Sequence, residues 1–191
     1  VDRGMKFFMV GLPDNAVKES QHRIESALKN VGYKMPGKKV VVNMAPADIR
    51  KEGSAYDLTI ATGILAASGQ MNEEKVGDYL IMGELSLDGS LQPIKGALPI
   101  AIQARKDGFK GFILPKENAL EAAIVSDLDV YGVENIKEVI DFFDGNGNIQ
   151  KEKGSFSVGQ VISEKENSNI PSKTSLDQRF SDIVGDLCEF C

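Results

Sequence analysis

Side chains able to do chemistry are scarce in this sequence. The chain holds one histidine, His22, so a Ser-His-Asp or Cys-His mechanism has a single candidate base and a His-rich metal site is excluded. His22 lies among Gln21, Arg23 and Glu25, on the wet side of a run whose apolar stripe is Val17, Ile24, Leu28 and Val31. That position predicts an exposed helix residue, not a base. The two cysteines form Cys188-x-x-Cys191. A zinc site would need two more ligands from a chain with no other cysteine, and a redox pair normally opens a helix after a strand. No G-x-x-x-x-G-K-[ST] occurs, and Gly145-x-Gly147 follows a helical run without a third glycine, so it reads as a turn.

The densest polar stretch runs from Asn43 to Ser54 and includes Arg50, Lys51 and Glu52. It falls between an apolar strand and a helix start, where amide donors and the helix dipole favour an anion or a nucleophile. Arg50, Lys51 and Ser54 are therefore the candidate binding residues. A hydrolase without histidine can pair a serine with a lysine whose pKa is lowered by desolvation. Ser54, Ser68 and Ser86, with Lys51 and Lys95, are the candidates for that. The structural alternative makes Ser54 an N-cap, its oxygen taken by an amide two or three residues on. The pairs Lys38-Lys39 and Arg50-Lys51 read either as phosphate contacts or as a solvated rim.

The elements that must position these residues alternate between periods of two and 3.6. Residues 6–11 and 39–44 read as strands, the second apolar enough to be central in a sheet. Pro13-Asp14 opens a helix that Gly32 ends. Residues 55–68 form a helix begun by Ser54-x-x-Asp57 and stopped by Gly69. Residues 79–87 and 90–94 alternate around Asp88-Gly89, a two-residue hairpin signal. A helix over 97–106 follows, with Pro99 in its first turn. Strands over 111–114 and 128–131 are each followed by a helix, begun by Asn118-x-x-Glu121 and Asn135-x-x-Glu138. The reading is one α/β (α+β) domain over residues 1–143, with a mixed β-sheet and packed helices.

Composition bounds the class. The chain has 191 residues, 42% hydrophobic and 26% charged, with a net charge of −6. A chain of this length forms a core without disulfide or metal staples. Its acidity makes it a poor match for nucleic acid by itself. No apolar run approaches the roughly 18 residues of a membrane span and no signal peptide opens it, so a cytoplasmic location without membrane contact is expected. Residues 144–179 are rich in Gly, Asn, Ser, Lys and Glu and read as a flexible linker. Residues 180–191, FSDIVGDLCEFC, turn apolar again, as though a second unit were starting.

Three ordered blocks carry a family resemblance: GLPDNAVKES from Gly11, VNMAPADIRKEGSAYDLTIATGILAASGQ from Val42, and MGELSLDGSLQPIKGALPIAIQARKDGF from Met82. They closely resemble the N-terminal domain of the YifB/ComM family, magnesium-chelatase-like (ChlI-like) AAA+ ATPases. The resemblance covers about residues 4–143, beginning after the position of a first strand in the family. Residues 180–185, FSDIVG, resemble the phrase that introduces the family's ATPase module.

This N-terminal domain is in turn similar to the proteolytic domain of Lon, which implies a Lon-like (ribosomal protein domain 2-like) fold. Lon's K-D-G-P-S-A-G matches Lys51-Glu52-Gly53-Ser54-Ala55-Tyr56-Asp57, placing the nucleophile position on Ala55. Its P-I-G-G-L-K matches Pro93-Ile94-Lys95-Gly96-Ala97-Leu98, placing the lysine position on Leu98. Ser54 is one residue early, about 100° around a helix, and Lys95 is three early. The resemblance thus implies a domain without the catalytic dyad, serving oligomerisation or partner binding in a protein that forms a hexameric ring and acts on DNA in branch migration and natural transformation. ATP and magnesium are expected only for an ATPase module beyond this chain, and no cofactor within it. A cryptic Ser–Lys peptidase and a stand-alone anion or nucleotide binder are the alternatives.

Overall fold

The computed structural model describes residues 7–152. The first strand, β1 (Phe7–Val10), leads into α1 (Asn15–Asn30) and then β2 (Val40–Asn43), which pairs with β1 in parallel, Phe7 opposite Val40. Asp14 caps α1 through Val17 N (2.8 Å). Its stop at Gly32, with φ of +91°, needs the left-handed freedom of glycine. After α2 (Asp57–Ala67) come β3 (Tyr79–Ile81), β4 (Glu84–Leu85), β5 (Leu91–Gln92) and α3 (Ala97–Lys106). The described elements end with β6 (Gly111–Pro115), α4 (Lys116–Ala122), β7 (Asp129–Val133) and α5 (Ile136–Phe143).

The middle layer is the parallel sheet β3-β6-β7. The central strand β6 is buried along its length and reads GFILP, as a strand covered on both faces should. Its alternation divides the core. Ile113 faces a cluster with Leu28, Leu58, Leu65 and Ile140, from α1, α2 and α5. Phe112 and Leu114 face a second cluster with Ile100, Ala104 and Ala119, from α3 and α4. The α2 sequence DLTIATGILAA is apolar nearly all round, and the helix is correspondingly buried. The inward residues of β1 and β2, including Phe7, Met9, Val40 and Val42, pack on the first cluster.

The mixed α/β class is as expected, but four details differ. Among the described residues the strands form three separate sheets, two parallel and one antiparallel, not a single mixed sheet. Strand β2 is not central: among the described residues it pairs only with β1, and Val41 is exposed. The single strand expected over 79–87 is two strands in different ladders. Gly83 separates them, donating to Ala55 O (2.8 Å) and accepting from Leu58 N (3.0 Å). A side chain there would press on Leu91 Cδ2 at 3.0 Å. The hairpin turn is also longer than a two-residue loop. Ser86 N reaches Ser90 O at 2.9 Å, and Gly89 sits at φ +90° after Leu87 and Asp88, a three-residue loop with a left-handed third position.

Two of the three expected caps are absent. Helix α2 starts at Asp57 with Tyr56 as an N-cap that makes no side-chain bond, so Ser54 is not its cap. Helix α4 starts at Lys116, leaving Asn118 inside it and buried. Asn135 and Glu138 do form the reciprocal capping box of α5. At the far end, Glu152 N bonds Val130 O (2.8 Å) and Lys151 bridges Tyr131 on the edge of β7. Structure therefore continues past residue 143 into the stretch that composition reads as linker. Residues 153–191, with Cys188, Cys191 and the apolar 180–191 segment, lie outside the described residues. No described helix is long and apolar enough to cross a membrane.

Candidate functional site

The segment from Asn43 to Tyr56 joins β2 to α2 and is tied down chiefly by the turn after β1. Asp14, while capping α1 with one oxygen, accepts Gly53 N with the other (3.1 Å). Lys51 N donates to Leu12 O (3.2 Å) and Lys51 O accepts from Asp14 N (2.9 Å). Gly11 lets the two segments approach: a Cβ there would fall 2.1 Å from Met44 O.

The three candidate binding residues go to three different places. Lys51 is 1% exposed and its ammonium donates to the Pro46 carbonyl. Burial lowers its pKa, with Asp48 opposing. Arg50 is exposed and pairs with Glu52 at 3.2 Å. The Ser54 hydroxyl donates to Glu84 Oε2 on β4. The remaining serines are also engaged locally. Ser68 Oγ donates to Leu65 O (3.2 Å), while Ser86 Oγ accepts from Gln92 Nε2 (2.9 Å). Lys95 is exposed. Among the described residues, no hydrogen bond joins Ser54, Ser68 or Ser86 to Lys51 or Lys95. His22 is exposed on α1, as its position predicted.

Beside Ser54 lies a charged group that sequence reasoning missed. Asp57, at the start of α2 and buried, takes Arg23 of α1 in a bidentate pair, Nε to Oδ2 at 2.6 Å and Nη2 to Oδ1 at 2.9 Å. Leu85 N also donates to Asp57 Oδ2 (3.1 Å), and Arg23 Nη2 reaches Ala16 O (2.8 Å). Burial raises the Asp57 pKa against the pull of Arg23 and the Leu85 amide. The hydrogen bond to Asp57 raises that of Arg23. The signal was available: Asp57 is the one charge in an otherwise apolar helix, and such a charge needs a partner.

Ala55 and Leu98 both pack against the cluster of Phe112, Leu114 and Ile100. Ala55 O accepts from Gly83 N (2.8 Å), and Leu98 N donates to Glu121 Oε1 (3.1 Å). Asn118, in the first turn of α4 where sequence read a cap, grips the segment before α3: Ile94 N to Oδ1 at 2.8 Å and Nδ2 to Ile94 O at 2.9 Å. The backbone at both positions is thus held by neighbouring segments.

Residues 1–118 match the family model described as subunit ChlI of Mg-chelatase. The chain is 37% identical over 179 residues to competence protein ComM of Haemophilus influenzae, covering 94% of this chain and 33% of that protein. It is 38% identical over 154 residues to the uncharacterized protein YifB of Escherichia coli, covering 81% of this chain and 30% of that protein. The chain belongs to the YifB/ComM magnesium-chelatase-like family. It spans about one third of the length of these curated relatives. A fainter similarity reaches Lon protease 2 of Bacillus subtilis, 28% identical over 127 residues, 65% of this chain and 22% of that protease.

Proposed function

We propose that this chain is a non-catalytic N-terminal domain, with a Lon-type scaffold, of a magnesium-chelatase-like ATPase that processes DNA, and that its work is oligomerisation or partner binding. The observation that carries the non-catalytic part is the filling of both dyad positions by apolar residues, Ala55 and Leu98, packed on one core cluster. Catalysis loses on the order of a hundredfold for small displacements of a reacting group, so Ser54 and Lys95 are poor substitutes. Ser54 donates to Glu84, and the nearest sequence candidate for a base, Lys51, is buried against Pro46. The DNA part rests on similarity to a competence protein. The described residues offer no cluster of three His, Cys, Asp or Glu side chains for a metal, and the sequence has no Walker loop. ATP and magnesium in this reading belong to another module of a ring-forming, cytoplasmic protein.

Casein and a fluorogenic peptide library test the first part. The chain should release no product above buffer, and a fluorophosphonate probe should leave Ser54 and Ser68 unlabelled. Cleavage that disappears in Ser54→Ala would falsify the non-catalytic reading and favour the Ser-dependent peptidase. Reading the gene past the codon for Cys191 tests the second part, the expected result being G-x-x-x-x-G-K-[ST] in the same or a nearby frame. Sedimentation velocity over a range of concentrations tests assembly, and a chain that stays monomeric throughout refutes it.

A further inference from the structure

The hydrogen-bond phase of a parallel ladder decides which backbone groups of each strand face the partner and which face away. In the β1–β2 ladder Val10 stands opposite Asn43, and Met44 N donates to Val10 O at 2.9 Å. That bond fixes the phase. Phe8 and Val10 on β1, and Val40 and Val42 on β2, turn their backbone groups into the ladder. The N–H and C=O of Val41 and Asn43 therefore point to the outer edge of β2, and among the described residues nothing bonds to them. Val41 is 53% exposed and Asn43 is exposed beside it. Phe7 and Met9, whose backbone groups face the other edge of the pair, are half-buried. The β3-β6-β7 sheet is protected at both edges: Glu152 N bonds Val130 O on β7, and Thr59 Oγ1 donates to Ile81 O on β3.

An unpaired edge is a template for another strand, and this one lacks the usual protection. Val40–Asn43 reads VVVN, without charge or proline. Lys39, the charge next to it, lies back over the Phe8 ring, its Nζ 5.2 Å from the ring centre. The edge is also self-complementary. Two copies of β2 set antiparallel about a twofold axis at Val41 put Val41 against Val41, Val40 against Val42 and Lys39 against Asn43, so no like charges meet. The residues whose backbones face the edge then oppose one another, and each such pair exchanges both of its hydrogen bonds. On the outward face the axis extends the row in which Phe8 stands opposite Val41. We propose that the outer edge of β2 pairs with the same edge of a second copy of this chain, joining two β1–β2 ladders into one four-stranded sheet. The inference rests on the assembly reading above and names its contact. A twofold contact closes on the pair, so a ring would be closed by other surfaces. An edge four residues long buries less than the roughly 800 Å² per partner of a stable interface, which makes the pair weak and concentration-dependent.

Sedimentation velocity and amide hydrogen exchange on the full chain test this. The chain should associate reversibly as its concentration rises. The amides of Val41 and Asn43 should gain protection with concentration, while that of Val42, which donates within the ladder, should not change. Val41→Lys sets two ammonium groups across the axis from Cα atoms about 5.5 Å apart, and should weaken association about tenfold. Val41→Glu should do the same. Because Val41 is exposed, both variants should keep the urea midpoint of the unaltered chain. An equimolar mixture of the Val41→Lys and Val41→Glu chains should recover the association that each has lost alone. Association that neither variant weakens, or that the mixture fails to restore, overturns the edge pairing and leaves the assembly reading standing. A chain that is monomeric at every concentration overturns both.

Discussion

Removing the carboxylate of Asp57 tests whether the Arg23–Asp57 pair holds α1, α2 and the hairpin together. The pair is bidentate, Asp57 is buried, and the same carboxylate accepts from Leu85 N at the root of the hairpin. Asp57→Ala strands a largely buried guanidinium and a buried amide at once. Breaking a buried pair from one side costs about 3–5 kcal/mol. Arg23 keeps some solvent contact and its bond to Ala16 O, which places the cost near the lower end, about 3 kcal/mol. For a domain with about 5–15 kcal/mol in total that is a large loss. With a urea slope of about 2 kcal/mol/M, the midpoint should fall by about 1.5 M. Far-ultraviolet circular dichroism is the suitable probe, since the chain has no tryptophan. Asp57→Asn keeps an acceptor for the Leu85 amide and should cost clearly less. Adding Arg23→Met to Asp57→Ala should cost less than the sum of the two changes, with a coupling of about 2 kcal/mol. Additive losses, or an Asp57→Ala loss under about 1 kcal/mol, would refute the pair as a structural tie and reduce it to a screened surface contact.

Three further outcomes follow from the same geometry. Gly11→Ala puts a Cβ 2.1 Å from Met44 O at φ +101°, so it should destabilise the domain by about 3 kcal/mol in urea unfolding, since overpacking adds to left-handed strain. Asn118→Leu orphans both polar groups of Ile94 and should cost about 2–4 kcal/mol, Asn118→Asp less, since one bond survives. Lys51 has a folded pKa below its usual 10.5, so the unfolded state binds the extra proton in that window. Stability contributed by this site therefore rises as pH climbs towards 10.5. That rise should be missing in Lys51→Met, and a Met chain with an unchanged pH slope overturns the assignment.

The order of strands and helices was legible because it rests on local periodicity, and the alternation of buried and exposed residues along α1 followed it. The capping signals show where legibility stops. Ser54-x-x-Asp57, Asn118-x-x-Glu121 and Asn135-x-x-Glu138 look alike in sequence, and only the last caps its own helix. Elsewhere a distant group outcompetes the local amide: Arg23 takes Asp57, Ile94 takes Asn118, Leu98 N takes Glu121, and Glu84 takes the Ser54 hydroxyl. A side chain that can serve either its own helix or another segment is decided by tertiary contact, which spacing does not encode. The burial of Lys51 was illegible for the same reason. Its acceptor, Pro46 O, is brought near by the path of the loop. The candidate residues Arg50, Lys51 and Ser54 are neighbours in sequence, but their side chains have separate partners.

The polar groups near Ala55 and Leu98 bear on what such a scaffold is for. A site built for catalysis holds donors and acceptors ready for atoms that arrive with the substrate, and those groups stand out as unpaired or strained before it binds. Here Ala55 O is taken by Gly83 N, Leu98 N by Glu121, and Ser54 by Glu84. Among the described residues, no buried side-chain nitrogen or oxygen lacks a partner. The hydrogen bonds that could have faced a substrate instead join the start of α2, the hairpin and the start of α3. Among the described residues, the exposed apolar surface includes the outward face of β1 and β2, with Phe8, Val10 and Val41. A domain whose polar groups are spent internally and whose unspent surface is apolar is suited to being docked against. If the proposed assembly role is correct, substitutions on that face, such as Phe8→Ser, should alter the sedimentation behaviour before they alter the fold, and an unchanged concentration dependence in Phe8→Ser refutes that face as the contact.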